Sequence, residues 1–138
     1  MESPKVKDYM TKQAITFRPD MSLSAALEKV VRSEHLGGPV IDEKHNVIGF
    51  LSEQDLLDKL VKASYFCEDT NLVSECMHTE VLSVSPETSI LALADMMKIG
   101  KPKVYPVVDN GILVGIITRR DVLRAIGKSL TTCFQHPV

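Results

Sequence analysis

Two short motifs in the sequence place a hydroxyl and a carboxylate three residues apart. Residues 118–121 read Thr-Arg-Arg-Asp and residues 52–55 read Ser-Glu-Gln-Asp, each between an apolar run and a helical pattern. At a helix start these two groups can form a capping box, which needs no ligand. The free amides and partial positive charge of a helix start also suit a phosphate, and a carboxylate accepts hydrogen bonds from sugar hydroxyls. The residues leave both interpretations open.

The two motifs differ in charge. Arg119 and Arg120 add two cations to the second motif, whereas Glu53 adds an anion to the first. Cations at a helix start slightly oppose the helix dipole, so the arginines either begin a solvated helix or contact a phosphate. A phosphate-bearing ligand should therefore prefer the second motif. We expect one strong site or one weak pair of sites, and not two equal ones.

The two motifs lie at equivalent places in an internal repeat. Residues 6–10 and 73–77 share the pattern Val-x-x-x-Met, and residues 39–42 and 106–109 share Pro-Val, an apolar residue and Asp. The spacing between the copies then shortens by one residue within a polar turn, where deletions are tolerated, and the two hydroxyl–carboxylate motifs align. A two-fold arrangement of the copies would bring both motifs to opposite sides of one cleft.

A glycine precedes each motif. Gly49 and Gly115 stand three residues before the hydroxyl and leave that position without a side chain. We therefore expect open space for a ligand on the approach to each turn.

Each copy has the same order of predicted elements. Ser22 and Ser89 are candidate N-caps for helices whose apolar residues recur at three- and four-residue spacing. A closing helix begins at Ser52 in the first copy and at Thr118 in the second. The remaining predictions are extended segments at 14–17 and 81–84, a hairpin of 39–41 with 47–51, and a hairpin of 104–108 with 112–117.

The repeats organise the chain into one α/β domain with two halves. We place the first repeat at residues 1–63, a linker at 64–72, the second repeat at 73–130 and an aperiodic, mobile tail at 131–138. A repeat of this size buries too little surface to be stable by itself. The predicted fold class is therefore α/β of the α+β type, with two strand–helix–strand–strand–helix units packed by pseudo-two-fold symmetry.

The composition excludes several classes of function. The 138 residues carry a formal net charge of −2, whereas proteins that bind nucleic-acid polymers usually have a basic excess. The three cysteines form no Cys-x-x-Cys pair, so we predict neither a disulfide framework nor a metal site. No apolar run approaches the ~20 residues of a membrane span, and the cysteine usage favours the cytoplasm. No motif suggests a nucleophile with its base, so we expect no enzyme and no cofactor.

In this order and spacing, the repeated motifs resemble a tandem pair of CBS domains, the regulatory modules named after cystathionine β-synthase. The resemblance covers about residues 4–130, so it leaves no separate catalytic or transport domain and implies a stand-alone regulatory protein. It implies a βαββα unit, a disc-like paired module and a cleft that binds AMP, ADP, ATP or S-adenosylmethionine. It also implies a homodimer in which exposed apolar helix faces meet.

The resemblance assigns roles to individual positions. The hydroxyls match the phosphate contact of the family's motif and the carboxylates match the ribose contact. Tyr105 either stacks on the base or packs beside its proline. The candidate ligand-binding residues are Thr118, Asp121, Arg119, Arg120, Ser52 and Asp55, with Ala14, Ile15, Val81 and Leu82 along the adenine and Gly38, Pro39, Tyr105 and Pro106 on the opposite wall.

Two functions of different classes fit these observations. The first is a sensor that binds an adenine nucleotide or S-adenosylmethionine in the cleft between the repeats and signals to an unknown partner protein. The second is a ligand-free dimerisation or scaffold module, in which both motifs serve only as caps.

Overall fold

The computed structural model describes residues 4–33, 35–66 and 71–135. Its elements follow the order of two copies of one unit, and each copy begins with a one-turn helix. These are α1 (Val6–Tyr9), α2 (Leu23–Ser33), β1 (Gly37–Ile41), β2 (Val47–Ser52), α3 (Glu53–Phe66), α4 (Val73–Cys76), α5 (Ile90–Met96), β3 (Val104–Asp109), β4 (Ile112–Thr118) and α6 (Arg119–Gln135).

Two small antiparallel sheets form the centre of the molecule. β1 pairs with β2, and β3 pairs with β4, which confirms the predicted hairpins with ends that differ by one or two residues. The predicted extended segments contribute one residue each, since Phe17 forms a parallel bridge to Val40 and Val84 forms one to Val107. The fold is thus a mixture of helices and strands in two equivalent halves.

Helices α2 and α5, which follow the one-turn helix of their copies, begin at the predicted caps. The Ser22 hydroxyl accepts a hydrogen bond from the Ala25 amide at 3.2 Å, and the Ser89 hydroxyl accepts one from the Ala92 amide at 3.1 Å. Each bond satisfies one of the amides that a helix start leaves without a partner. The caps therefore fix where α2 and α5 leave the preceding loops.

The two halves exchange their first segments. Val6 of α1 is buried in the core of the second half with Tyr105, and Val73 of α4 is buried in the core of the first half with Phe17 and Leu51. The apolar side chains of these one-turn helices are thus buried by contacts with the opposite repeat. Neither core is complete without a segment from the opposite repeat.

Both closing helices are longer than predicted: α6 continues into the predicted tail, and α3 continues into the predicted linker. α6 runs to Gln135, so residues 131–135 are helical and not an aperiodic tail. α3 continues to Phe66, and residues 67–70 and 136–138 lie outside the described part of the chain. Among the described helices, none is both long and apolar enough to cross a membrane.

Candidate functional site

Both hydroxyl–carboxylate motifs form complete capping boxes. In the second turn, the Thr118 amide and hydroxyl donate to Asp121 Oδ2 at 2.9 and 3.0 Å, and the Asp121 amide donates to Thr118 Oγ1 at 3.2 Å. In the first turn, the corresponding distances between Ser52 and Asp55 are 3.0, 2.8 and 3.1 Å. The capping interpretation is therefore correct for the geometry, and only one oxygen of each carboxylate remains for another partner.

That remaining oxygen is held differently in the two turns. Arg124 Nη1, one turn further along α6, donates to Asp121 Oδ1 at 3.2 Å, whereas His78 Nε2 lies 2.9 Å from Asp55 Oδ1. The side chains of Arg124 and His78 are each 66% exposed. Both side chains have room to turn into solvent, so a ligand hydroxyl can take the place of either one on its carboxylate.

His78 is a site residue that the sequence reasoning missed. The backbone of His78 exchanges two hydrogen bonds with Phe50, as the backbone of Thr11 does with Ile116. His78 therefore has the same position beside the first hairpin as Thr11 has beside the second. The repeat alignment could have revealed this difference. Nothing in the sequence shows that this segment crosses to Asp55, because that contact joins the two halves.

The space beside the two glycines is filled, which corrects the expected open approach. A Cβ built on Gly49 would lie 2.5 Å from the Met77 sulfur, and one built on Gly115 would lie 2.8 Å from the Thr11 carbonyl oxygen and 3.1 Å from the Met10 sulfur. The glycines serve the close docking of the exchanged segments, and the methionines of the Val-x-x-x-Met pattern occupy the space they leave.

The larger cavity beside the turns has a volume of about 560 Å³ and lies between the two halves. The second turn contributes Thr118, Arg119 and Arg120, and the segment before β1 faces them from the first half. The other lining residues are His35, Leu36, Gly37, Lys103, Val104, Ile116 and Leu123. The cavity therefore combines hydroxyl and cationic groups with an apolar wall.

A smaller cavity of about 240 Å³ lies near the first turn. Val81, Leu82 and Pro106, three of the predicted adenine contacts, line this cavity together with His78 and Glu80. Its remaining lining residues are Phe50, Pro102 and Val104. The predicted walls of one adenine pocket thus come together, with an anionic side chain beside them.

The other predicted wall residues come from β1 and from the extended segment before α2. Gly38 is buried against the Ile15 carbonyl oxygen, which leaves no room for a Cβ at Gly38, and Ala14 and Ile15 are half-buried. Pro39 is buried, and its carbonyl accepts a hydrogen bond from the Phe17 amide at 3.0 Å. The two predicted segments are therefore in contact, although none of these four residues lines the cavity as the structure stands.

Tyr105 packs in the core. Its side chain is fully buried, its hydroxyl donates to the Met96 carbonyl at 3.4 Å, and burial raises the pKa of the phenol above its ordinary value. It has no free face on which a base can stack. The packing interpretation of Tyr105 therefore describes the structure. Elsewhere in the described chain, no group of three or more His, Cys, Asp or Glu residues is arranged to hold a metal ion.

Curated relatives share the sequence pattern over most of this chain. An A-adding tRNA nucleotidyltransferase of Aquifex aeolicus is 29% identical over 91% of the chain, and the match spans 15% of that enzyme. The chloroplastic CBS domain-containing protein CBSX1 of Arabidopsis thaliana is 33% identical over 87% of the chain, and the match spans 63% of that protein. The chain thus spans less than two thirds of the length of either relative.

Solved structures share the architecture as well. The crystal structure of CBSX2 in complex with AMP matches with a TM-score of 0.78 and 32% identity, over 91% of this chain and 98% of that chain. The CBS domain pair of protein MJ0100, in complex with 5-methylthioadenosine and S-adenosyl-L-methionine, matches with a TM-score of 0.75 and 25% identity, over 90% and 100% of the two chains. The CBS domain pattern itself matches twice, at residues 6–62 and 73–128. Two equivalent halves, repeated hydroxyl–carboxylate turns and these matches together establish that the chain belongs to the CBS domain family, as a tandem pair of CBS domains.

Proposed function

We propose that the chain is a regulatory module that binds an adenosine-containing ligand in the larger cavity and signals its presence to a partner protein. The observation that carries this proposal is the cavity of about 560 Å³ in which the second turn faces the first half. Its volume lies within the range of roughly 300–1,000 Å³ that is usual for small-molecule sites. The related CBSX2 and MJ0100 pairs bind AMP, or methylthioadenosine and S-adenosylmethionine.

The proposed contacts follow from the chemistry of the lining. The cations of Arg119 and Arg120 bind the phosphate, since charge-assisted hydrogen bonds are the strong ones. The Thr118 hydroxyl donates its single proton to the phosphate in place of Asp121 Oδ2. Asp121 Oδ1 accepts a hydrogen bond from a ribose hydroxyl in place of the one from Arg124. The base lies against the part of the wall that Leu36 and Gly37 form. The smaller cavity, whose lining residue His78 contacts Asp55, serves as a second, weaker site.

Signalling requires a difference in affinity between two arrangements of the halves. A ligand can shift a conformational equilibrium only by its differential affinity for the two states. The larger cavity is lined by both halves, so its ligand bridges them and favours the arrangement in which they close on it. In our proposal the partner protein reads this arrangement from a cytoplasmic homodimer.

A second candidate function is a ligand-free dimerisation module. Two observations favour it: both capping boxes are complete without a ligand, and α3 exposes Leu57, Val61 and Tyr65 at 57%, 60% and 85%. In this case the turns only stabilise α3 and α6, and the apolar helix faces carry the function.

Binding calorimetry separates the two functions. We expect heat from at least one of AMP, ADP, ATP and S-adenosylmethionine, with one ligand per chain in the strong site. An absence of binding across the four compounds, at protein concentrations that would detect millimolar affinity, would rule out the regulatory proposal and leave the dimerisation module.

Asp121→Ala should weaken the binding of a ribose-bearing ligand more than Asp55→Ala does. Hydrogen bonds to a charged group contribute about 1.5–3 kcal/mol, so we expect a loss of roughly tenfold to a hundredfold for Asp121→Ala and a smaller loss for Asp55→Ala. Calorimetric titration of both variants measures this difference. Since loss of a cap alone costs about 0.5–2 kcal/mol of stability, thermal unfolding of each variant is the control. Equal losses of affinity in the two variants would contradict the assignment of the second turn.

A further inference from the structure

Four basic side chains from three parts of the chain line the larger cavity. Arg119 and Arg120 come from the start of α6, Lys103 precedes β3, and His35 precedes β1. Among the residues that the structure describes, none of those lining the cavity is acidic. The two arginines belong to the turn itself, whereas Lys103 and His35 reach this site through the tertiary fold.

These four side chains have no acidic partner within the described residues, although other cations of the chain do. Lys5 and Lys7 pair with Glu87, Arg32 pairs with Glu28, and Arg124 pairs with Asp121. The backbone holds Lys103 beside Arg119, since the Arg119 amide donates to the Lys103 carbonyl at 2.9 Å. Like charges held together without a counter-charge repel one another, and a bound polyanion removes that repulsion.

The number of cations indicates how many negative charges the ligand carries. A phosphate monoester such as AMP carries about −1.5 to −2 charges at neutral pH, and each further phosphate of ADP and ATP adds about one. Two arginines and one lysine supply three positive charges, which exceed the charge of a monophosphate. S-adenosylmethionine carries a sulfonium cation, which these side chains repel.

On the basis of the proposed function, we propose that the larger cavity selects adenosine ligands with two or three phosphates over AMP and over S-adenosylmethionine. Thr118 and Asp121 orient the part of the ligand that all these compounds share. Lys103 and Arg120 bind the outer phosphates. The smaller cavity, at about 240 Å³ with Glu80 in its lining, lacks both the space and the charge for a polyphosphate.

Calorimetric titration with ATP, ADP, AMP and S-adenosylmethionine tests this selectivity, in metal-free buffer at one ionic strength. We expect ATP to bind at least tenfold more tightly than AMP, with ADP between them and S-adenosylmethionine weakest. The double variant Lys103→Gln/Arg120→Gln should lose at least tenfold in affinity for ATP and about threefold or less for AMP. Lys128→Gln, an exposed lysine further along α6 and outside the cavity lining, is the matched control and should leave both affinities unchanged.

The possible outcomes separate this inference from the function on which it rests. If AMP binds as tightly as ATP, or if the double variant loses both affinities equally, the selectivity is refuted while adenosine binding stands. The same holds if S-adenosylmethionine binds most tightly. If none of the four compounds binds the wild-type chain, both proposals fail. Thermal unfolding of each variant shows whether it is folded before its titration is interpreted.

Discussion

At the residue scale, one exposed carboxylate connects the N-terminal segment to the second half. Lys5 Nζ and Lys7 Nζ donate to the two oxygens of Glu87 at 2.8 and 3.0 Å. These hydrogen bonds, that of Lys5 first and that of Lys7 second, hold the pKa of Glu87 below its ordinary value of 4.5. The contact therefore stabilises the folded chain only while Glu87 is ionised.

Glu87→Gln should change how stability depends on pH. Because the pKa of Glu87 is lower in the folded chain than in the unfolded chain, its contribution is complete above pH 4.5 and is lost as the pH falls through the folded pKa. We expect wild type to be slightly more stable than Glu87→Gln at pH 7, and the difference to shrink toward zero in acid. Urea unfolding of both chains between about pH 7 and pH 3 measures it. A difference that stays constant down to the lowest pH would show that Glu87 acts through something other than its charge.

At the element scale, the exchanged segments carry α1 and α4 onto the opposite halves. Each segment also passes a methionine side chain over a glycine of the opposite hairpin, Met77 over Gly49 and Met10 over Gly115. A backbone bridge accompanies each contact, between His78 and Phe50 and between Thr11 and Ile116. The segments therefore connect the two cores and position His78 beside the first turn.

Gly49→Ala should destabilise this docking. The new Cβ would lie 2.5 Å from the Met77 sulfur and 3.0 Å from the His78 carbonyl oxygen, and overpacking of this kind costs about 1–3 kcal/mol. Chemical denaturation measures the free energy of unfolding. Combination with Met77→Ala should recover part of the loss, because the two positions are in contact and their effects are not additive.

Gly127→Ala is the matched control for that prediction. A Cβ at Gly127 meets nothing within 4 Å, and Ala is favoured over Gly within a helix by roughly 0.5–1 kcal/mol. We expect Gly127→Ala to be as stable as wild type or more stable. If Gly49→Ala behaved in the same way, the contact with the exchanged segment would not be tight.

At the scale of the whole molecule, the helices leave an apolar face exposed. This face lies on α2 and α3 and includes Val31, Leu57 and Val61, which are 69%, 57% and 60% exposed. Contiguous apolar patches of this kind are typical of protein–protein interfaces. They support the homodimer that we propose.

Leu57→Glu with Val61→Glu should convert the proposed homodimer into a monomer. A carboxylate buried without a partner at an apolar interface costs several kcal/mol, whereas both side chains are largely exposed in the single chain and tolerate the change. Sedimentation velocity of the wild-type chain and of the variant measures the mass. Ile99→Glu, at a fully exposed position outside these helices, is the control. A dimeric variant would place the interface elsewhere, and a monomeric wild type would refute the homodimer.

Most of the local structure could be predicted because its causes are local. The N-caps Ser22 and Ser89 and the hydroxyl–carboxylate motifs depend on bonds between residues three apart in the chain. The tail was predicted wrongly because residues 131–135 lack an apolar period, although a helix can continue into solvent through its own backbone hydrogen bonds. There Thr131 Oγ1 and Thr132 Oγ1 donate to carbonyls four residues earlier, at 3.0 and 3.2 Å.

The sequence by itself determined the repeat, the class of fold, the two turns and the charge of Arg119 and Arg120. Only the tertiary structure decided what surrounds those turns, because the contacts join residues far apart in the chain. It brought Lys103 and His35 to the arginines, placed His78 on Asp55 and filled the space at Gly49 with Met77. The physical reason is that a single repeat cannot bury its own apolar surface. The crossing of the first segment of each repeat completes both cores and brings His78 to the smaller cavity.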